Sequence, residues 1–132
     1  MSIAAYKRTI RESESPRQIE RRILARLTGQ LENYAVAYDG AEDRAGRLQL
    51  LQDGLHKVLT DNQKMWTALK NDLASPGNAL PAELRATLLS LALWVERQTS
   101  VVMGGGAGVG DLATVNRHIV AGLAGEAPGP KG

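Results

Sequence analysis

An all-α fold, a bundle of four to five helices with no β-sheet, is what this sequence predicts, and three observations carry the prediction. Hydrophobic residues make up 43% of the 132 positions, an ordinary globular share, yet they are mostly Leu, Ala, Val and Ile, with no Phe at all. Straight-chain and small residues suit helices, whereas strands draw on β-branched and aromatic ones. Apolar residues recur every three or four positions in each long segment, the period of a helix with one buried face. Finally, Pro and Gly cluster between those segments, at Asp39-Gly40, Ser75-Pro76-Gly77 and 104–110.

The elements follow in order. Ile3, Tyr6 and Ile10 predict a short amphipathic helix over 3–11. Ser15, Pro16 and Gln18 then form a helix start: a side-chain cap, a first-turn proline and a capping-box partner. Ile19, Ile23, Leu24, Leu27, Leu31, Tyr34 and Tyr38 stripe the helix that follows, which Asp39-Gly40 should stop. A third helix begins near 41–43 and carries Leu48, Leu51, Leu55, Leu59, Trp66, Leu69 and Leu73. It cannot pass Pro76, and its length suggests a break near Thr60-Asp61-Asn62. Pro81 opens a fourth helix bearing Leu84, Leu88, Leu91 and Val95, with Leu89, Leu93 and Trp94 widening the apolar arc. So broad an arc predicts a central position. The segment 104–110 reads as a flexible linker, Asp111 as the cap of a last helix with Leu112, Val115, Ile119 and Leu123 on one face. Residues 1–123 form one domain, and 124–132 a frayed tail.

Composition excludes several function classes. There is no cysteine, hence no disulfide scaffold, thiol catalysis or Cys-based zinc site. The first residues lack an apolar core of signal-peptide length, and no run approaches the roughly 18 apolar residues of a membrane span. A soluble, cytoplasmic protein without membrane insertion is expected. Net charge is only +2, but residues 1–30 carry seven Lys/Arg against three Asp/Glu. That surplus suits an acidic partner or an RNA backbone; it equally suits a solvated helix face, which the lack of interleaved aromatics favours.

Enzyme chemistry finds no foothold. The glycine segment matches neither phosphate-binding motif and follows no strand. Of the two histidines, His56 and His118, only Asp53-x-x-His56 resembles a helical metal pair, and a di-iron bundle needs the motif twice. Neither a catalytic residue, a cofactor nor a metal is expected. What stands out instead is polarity on apolar stripes. Asn62 shares a face with Leu55 and Trp66, and Asn116 lies between Leu112 and Ile119. A buried amide needs partners, so each either ties down nearby backbone or lines a groove that bonds an incoming helix.

Three blocks then resemble a known family: "PRQIERRIL", the run "LHKVLTDNQKMWTALKNDLASPGNALPAELRATLLSLALWVERQT", and "LATVNRHIVAGL". Together they are similar to the flagellar biosynthesis regulator FlaF family, in order and over about 6–123. The resemblance rests on the pairing of Asn62 with Trp66, the Asp72-Leu73-Ala74 and Pro/Asn corner, the Leu80-Pro81 start with Leu84-Arg85-Ala86, and the Asn116-to-Gly122 ending. Carried over by position, the characteristic residues are Pro16, Arg17, Glu20, Asn62, Trp66, Leu69, Asp72, Leu73, Asn78, Leu80, Pro81, Arg85, Asn116, Ile119 and Gly122. Met65 stands where Leu is usual, and Trp94 where a smaller side chain is common.

The resemblance implies a cytoplasmic helical protein needed for flagellin production and export, acting with the sister regulator FlbT. The expectation is a flagellin-binding secretion chaperone or assembly factor that receives an amphipathic flagellin helix in an apolar groove. Candidate partner-binding residues are Asn62, Trp66, Leu69, Leu73, Leu84, Leu88, Leu91, Trp94 and Asn116. The rival expectation is a post-transcriptional regulator of flagellin mRNA, acting directly or through FlbT.

Overall fold

The structure, a computed structural model, describes residues 16–123. All regular structure among them is helical: α1 (Pro16–Asp39), α2 (Arg44–Leu50), a π-helical turn (Leu51–Leu55), α3 (His56–Ala74), α4 (Ala82–Met103) and α5 (Val109–Leu123). Because α2, the π turn and α3 run on without interruption, they make one bent rod, and the described chain is four rods. The helix predicted over 3–11, the Ser15 cap and the 124–132 tail lie outside the described residues.

The stripe on α1 is real: Leu24, Leu27, Leu31 and Tyr38 are buried. Thr28, on the same face, stays buried by donating its hydroxyl to the Leu24 carbonyl at 2.6 Å. After Asp39 the chain turns, with the Gly40 N–H returning to Val36 O at 3.0 Å. Asp43 caps α2, its carboxylate accepting the Gly46 N–H at 2.8 Å.

The rod breaks earlier than the sequence predicts. Thr60-Asp61-Asn62 is continuous helix, and the Thr60 hydroxyl bonds the His56 carbonyl at 2.9 Å. The irregularity falls instead at Gly54, with φ 151° and ψ −22° inside the π turn. Only glycine adopts such a backbone without strain, and the Tyr34 hydroxyl packs where a Cβ would stand.

Helices pair as α1 with α5 and α3 with α4, and the contact between α1 and α3 joins the two pairs. Both pairs are antiparallel: Asp39 at the end of α1 meets the start of α5, and Lys70 of α3 meets Glu96 of α4. The core runs through Leu31, Tyr38, Leu55, Leu59, Trp66, Val95, Val102 and Leu112.

The predicted central position of α4 is not what the structure has. It buries only Ala92, Val95, Thr99 and Val102 and barely meets α5. Leu84, Leu93 and Val101 remain 44%, 46% and 52% exposed. Its apolar arc is wide, but α5 is committed to α1, so one side of α4 is packed and the rest faces outward.

Candidate functional site

On α3, the spacing 62, 66, 69, 73 sets Asn62, Trp66, Leu69 and Leu73 on one face. Asn62, Trp66 and Leu73 are buried, and Leu69 is half-buried. Across the core, Asn116 of α5 is likewise fully buried. Both asparagines were expected to anchor backbone or to face a groove; they do neither. The Trp66 indole donates to Asn116 Oδ1 at 2.8 Å, and Asn116 Nδ2 donates to Asn62 Oδ1 at 2.7 Å. This is a side-chain relay linking α3 to α5. In it Asn62 Nδ2 has no hydrogen-bond partner.

The candidates on α4 lie elsewhere. Leu84 is exposed, while Leu88, Leu91 and Trp94 are half-buried, with Leu91 and Trp94 against the core. The nine candidates therefore do not form one surface: three sit inside the fold as the relay, and the remainder follow α3 and α4. Beside the relay, a small cleft is lined by Glu20, Leu24, Met65, Trp66, Leu69 and Ile119. Burial and, secondarily, the nearby Asp72 carboxylate push the Glu20 carboxyl up.

The 75–78 corner between α3 and α4 closes on itself. Asn78 accepts the Leu80 N–H at 3.0 Å and donates to Asp72 at 3.2 Å, while Ser75 Oγ accepts from Gly77 N at 3.3 Å. The three side chains fix the reversal that sets α4 against α3.

A groove the sequence did not announce runs between those helices. It encloses about 490 Å³ and is lined by Thr60, Gln63, Lys64 and Thr67 on one wall, Glu96, Thr99, Ser100 and Met103 on the other. Thr99 is 3% exposed, and neither Thr99 Oγ1 nor the buried Gln63 Oε1 has a hydrogen-bond partner.

The glycine segment is not a loose linker, and Asp111 is not the cap of α5. Asp39, from α1, accepts the N–H groups of Gly108, Val109 and Gly110 at 2.9, 2.9 and 2.8 Å. Gln98 donates to the carbonyls of Ala107 and Gly108. Arg44 holds the Gly104 carbonyl, and Arg47 reaches those of Tyr38, Asp39 and Gly105. Gly108, at φ 126°, has a backbone that favours glycine, and a Cβ there would also displace the Gln98 amide. Burial pushes the Asp39 carboxyl up, but the three N–H bonds and Arg47 outweigh it and hold it below its ordinary value. In sequence Asp39 read only as a helix-ending residue, and Arg47 drew no reading. Their partners lie about 60 to 70 residues away, and no local pattern reports them.

Among the described residues no group of three or more His, Cys, Asp or Glu could hold a metal ion. Asp53, of the Asp53/His56 pair, accepts instead from Gln49 at 3.0 Å. No helix there is long and apolar enough to cross a membrane. The family model described as flagellar protein FlaF matches residues 2–123. No curated protein and no solved structure matches the chain.

Proposed function

Since the chain belongs to the FlaF family of flagellar proteins, we propose that it is a flagellin-binding secretion chaperone or assembly factor. It works in the cytoplasm as a binding protein, not an enzyme, and promotes flagellin synthesis and export. The observation that carries this reading is the exposure of α4: Leu84, Leu93 and Val101 on the helix, with Leu80 just before it, leave aliphatic surface without a partner. Nine residues at 100° each put Leu84 and Leu93 on opposite sides of α4, so the docking surface is the Leu93 side, where Leu89 lies within about 40° of it. An amphipathic flagellin helix laid on α4 would bury its own apolar stripe there, much as α3 already does from the other side. Buried Trp66, Asn62 and Asn116 then support the surface rather than touch the partner.

Calorimetry and size exclusion with purified flagellin test the reading. A stoichiometric complex is expected, weakened when Leu89 and Leu93 are both replaced by Ser. Flagellin and this chain eluting separately, with no heat of binding, would refute it.

One observation favours a second reading. Arg21, Arg22 and Arg26 are all exposed on α1, a cationic patch of the kind that meets a nucleic-acid backbone. Regulation of flagellin mRNA translation, directly or with a FlbT-type regulator, would use that face. A gel shift with flagellin leader RNA at two salt concentrations separates the two, because direct contact weakens steeply with salt.

A further inference from the structure

The α3–α4 groove continues past the end of α4. A second hollow, about 690 Å³, lies against α2 and the π turn, lined by Ala45, Leu48, Gln49 and Gln52, with His56 at its foot. The two hollows join. Met103 lines both, and His56 of the one stands a single turn from Thr60 of the other on the same face of α3. From Ala45 to Thr67 the resulting trough follows the bent rod for roughly 30 Å at 1.5 Å per residue. Its other wall is α4. Around that helix Leu89 and Leu93 fall within about 20° of Ser100, so the aliphatic side of α4 runs on from the trough wall. Small residues, Thr60, Thr67 and Ser100, leave a furrow that the side-chain ridge of a third helix can enter.

Charge says which helix. Glu96 on the α4 wall is already held by Lys70 at 3.3 Å, so it leaves Lys64 unanswered. Lys57 bonds Asp61 at 2.8 Å, and that bond, with the charges of Lys57, Lys64 and Arg26 of α1, holds the Asp61 carboxyl below its ordinary value. Three cations from two helices therefore share one carboxylate. Lys57 and Lys64 are both exposed, about 10 Å apart along α3, and Arg97 is exposed on α4. At the other end Asp53 accepts from a neutral amide, that of Gln49, which confines the positive rim to the stretch from Lys57 to Lys64. The floor is of a different kind. Leu48 is 40% exposed, Met103 is half-buried, and Thr60, Gln63, Thr67 and Ser100 carry no charge. A nucleic-acid backbone would meet the rim and gain nothing from such a floor. The complement to both is a protein helix with an aliphatic stripe and an acidic flank.

We propose that this trough seats an amphipathic partner helix of about five turns, its aliphatic stripe on Leu48, Met103 and Leu93 and its carboxylates against Lys57 and Lys64. The proposal rests on the flagellin-binding reading and adds the seat and the charge pattern that selects the helix. Aliphatic contact supplies adhesion, while the rim steers the encounter and rejects a helix whose flank is basic.

Two measurements test it. Lys64→Glu reverses one exposed rim charge and should weaken flagellin binding about fivefold in calorimetry at low salt, a gap that closes as salt is raised. Arg21→Glu makes the same change of net charge on exposed α1 surface and should bind within about twofold of the parent. Because the chain has no cysteine, Ser100→Cys, on the exposed trough wall, accepts a single environment-sensitive fluorophore, whose emission should shift to the blue when flagellin binds. The same label at Val36→Cys, 87% exposed on α1, should stay unchanged. If Lys64→Glu and Arg21→Glu weaken flagellin equally, or the Ser100 label is silent while flagellin binds, the trough is not the seat, although the chaperone reading stands. If Lys64→Glu spares flagellin but weakens flagellin leader RNA in a gel shift, the occupant is a nucleic acid and the proposal falls. Flagellin that fails to bind the parent brings down both readings together.

Discussion

Replacing Asp39 by Asn tests whether the last helix is held from outside its own sequence. The first N–H groups of any helix have no partner within it. At the start of α5 the N–H groups of Val109 and Gly110, with that of Gly108 just before it, point at one carboxylate carried by α1, at 2.8 to 2.9 Å. A good side-chain cap contributes about 1 to 2 kcal/mol, and the charge adds about 0.3 to 1 kcal/mol by facing the positive end of the helix. Asparagine preserves the shape and one acceptor oxygen but turns an NH₂ toward donors. The expected loss at neutral pH is therefore about 2 kcal/mol. For a chain of this length that lowers the melting temperature by roughly 6 to 8 °C.

The sign of the pH dependence follows from the direction of the shift. Burial opposes ionisation of Asp39, but the N–H groups of Gly108, Gly110 and Val109 and the Arg47 charge prevail, leaving its folded pKa below the ordinary value. A depressed carboxyl stabilises the fold fully above its unfolded pKa, near 3.9, and loses that contribution as pH falls through the folded pKa. Thermal melts followed by circular dichroism from pH 7 down to acid should show parent and Asp39→Asn far apart at neutral pH. The two should converge only as pH falls below that depressed folded pKa, where the parent side chain is itself neutral. Other titrating groups act on both proteins and cancel in the difference. Equal melting temperatures at pH 7, or a gap that stays constant into acid, would refute the cap.

Two further substitutions probe the interior. Trp66→Phe removes the indole N–H and orphans Asn116 Oδ1, fully buried; a loss of about 1 to 3 kcal/mol beyond the ring-size effect is expected in urea titrations. Gly54→Ala forces a positive-φ backbone onto alanine and drives its Cβ into the Tyr34 hydroxyl, for a loss of at least about 1 to 2 kcal/mol. In a Tyr34→Phe background the nearest remaining ring atom is 3.6 Å away, so the clash component should vanish and the strain component persist, a coupling that a double-mutant cycle reads directly.

Much of the fold was legible because its signals are local. Ser75, Pro76, Asn78 and Pro81 spell a corner whose bonds span six residues or fewer. The stripe from Leu24 to Tyr38 likewise reports its own helix. Tertiary bonds were not legible. Asn62 and Asn116 stood out as polar residues on apolar faces, but nothing in either segment says that they meet each other. The breadth of apolar surface on α4 was visible, whereas its use was not: width predicts burial only if enough helices are available to cover it. The break was expected at Thr60-Asp61-Asn62 rather than at Gly54, because propensity does not reveal that Tyr34 packs against one particular glycine.

The distribution of tertiary bonds explains why α4 is the element offered outward. Two links fix α5, Asp39 at its start and Asn116 to Trp66 and Asn62 in its middle, to which Arg117 and Glu32 add an exposed ion pair worth little. The α1, α3 and α5 helices are thereby locked to one another by hydrogen bonds with demanding geometry. For α4 the restraints are of another kind. Its start depends on the 75–78 corner, and Lys70–Glu96 farther along is an exposed pair of the sort worth little. Its last turn is tied through Val102 to Tyr38 and through Gln98 to the glycine segment. Between those ends, α4 is held mainly by apolar packing on α3, which is non-directional and tolerates small sliding. Its outward side, at Leu93 and Val101, has no helix against it among the described residues, so α4 is the element left facing outward.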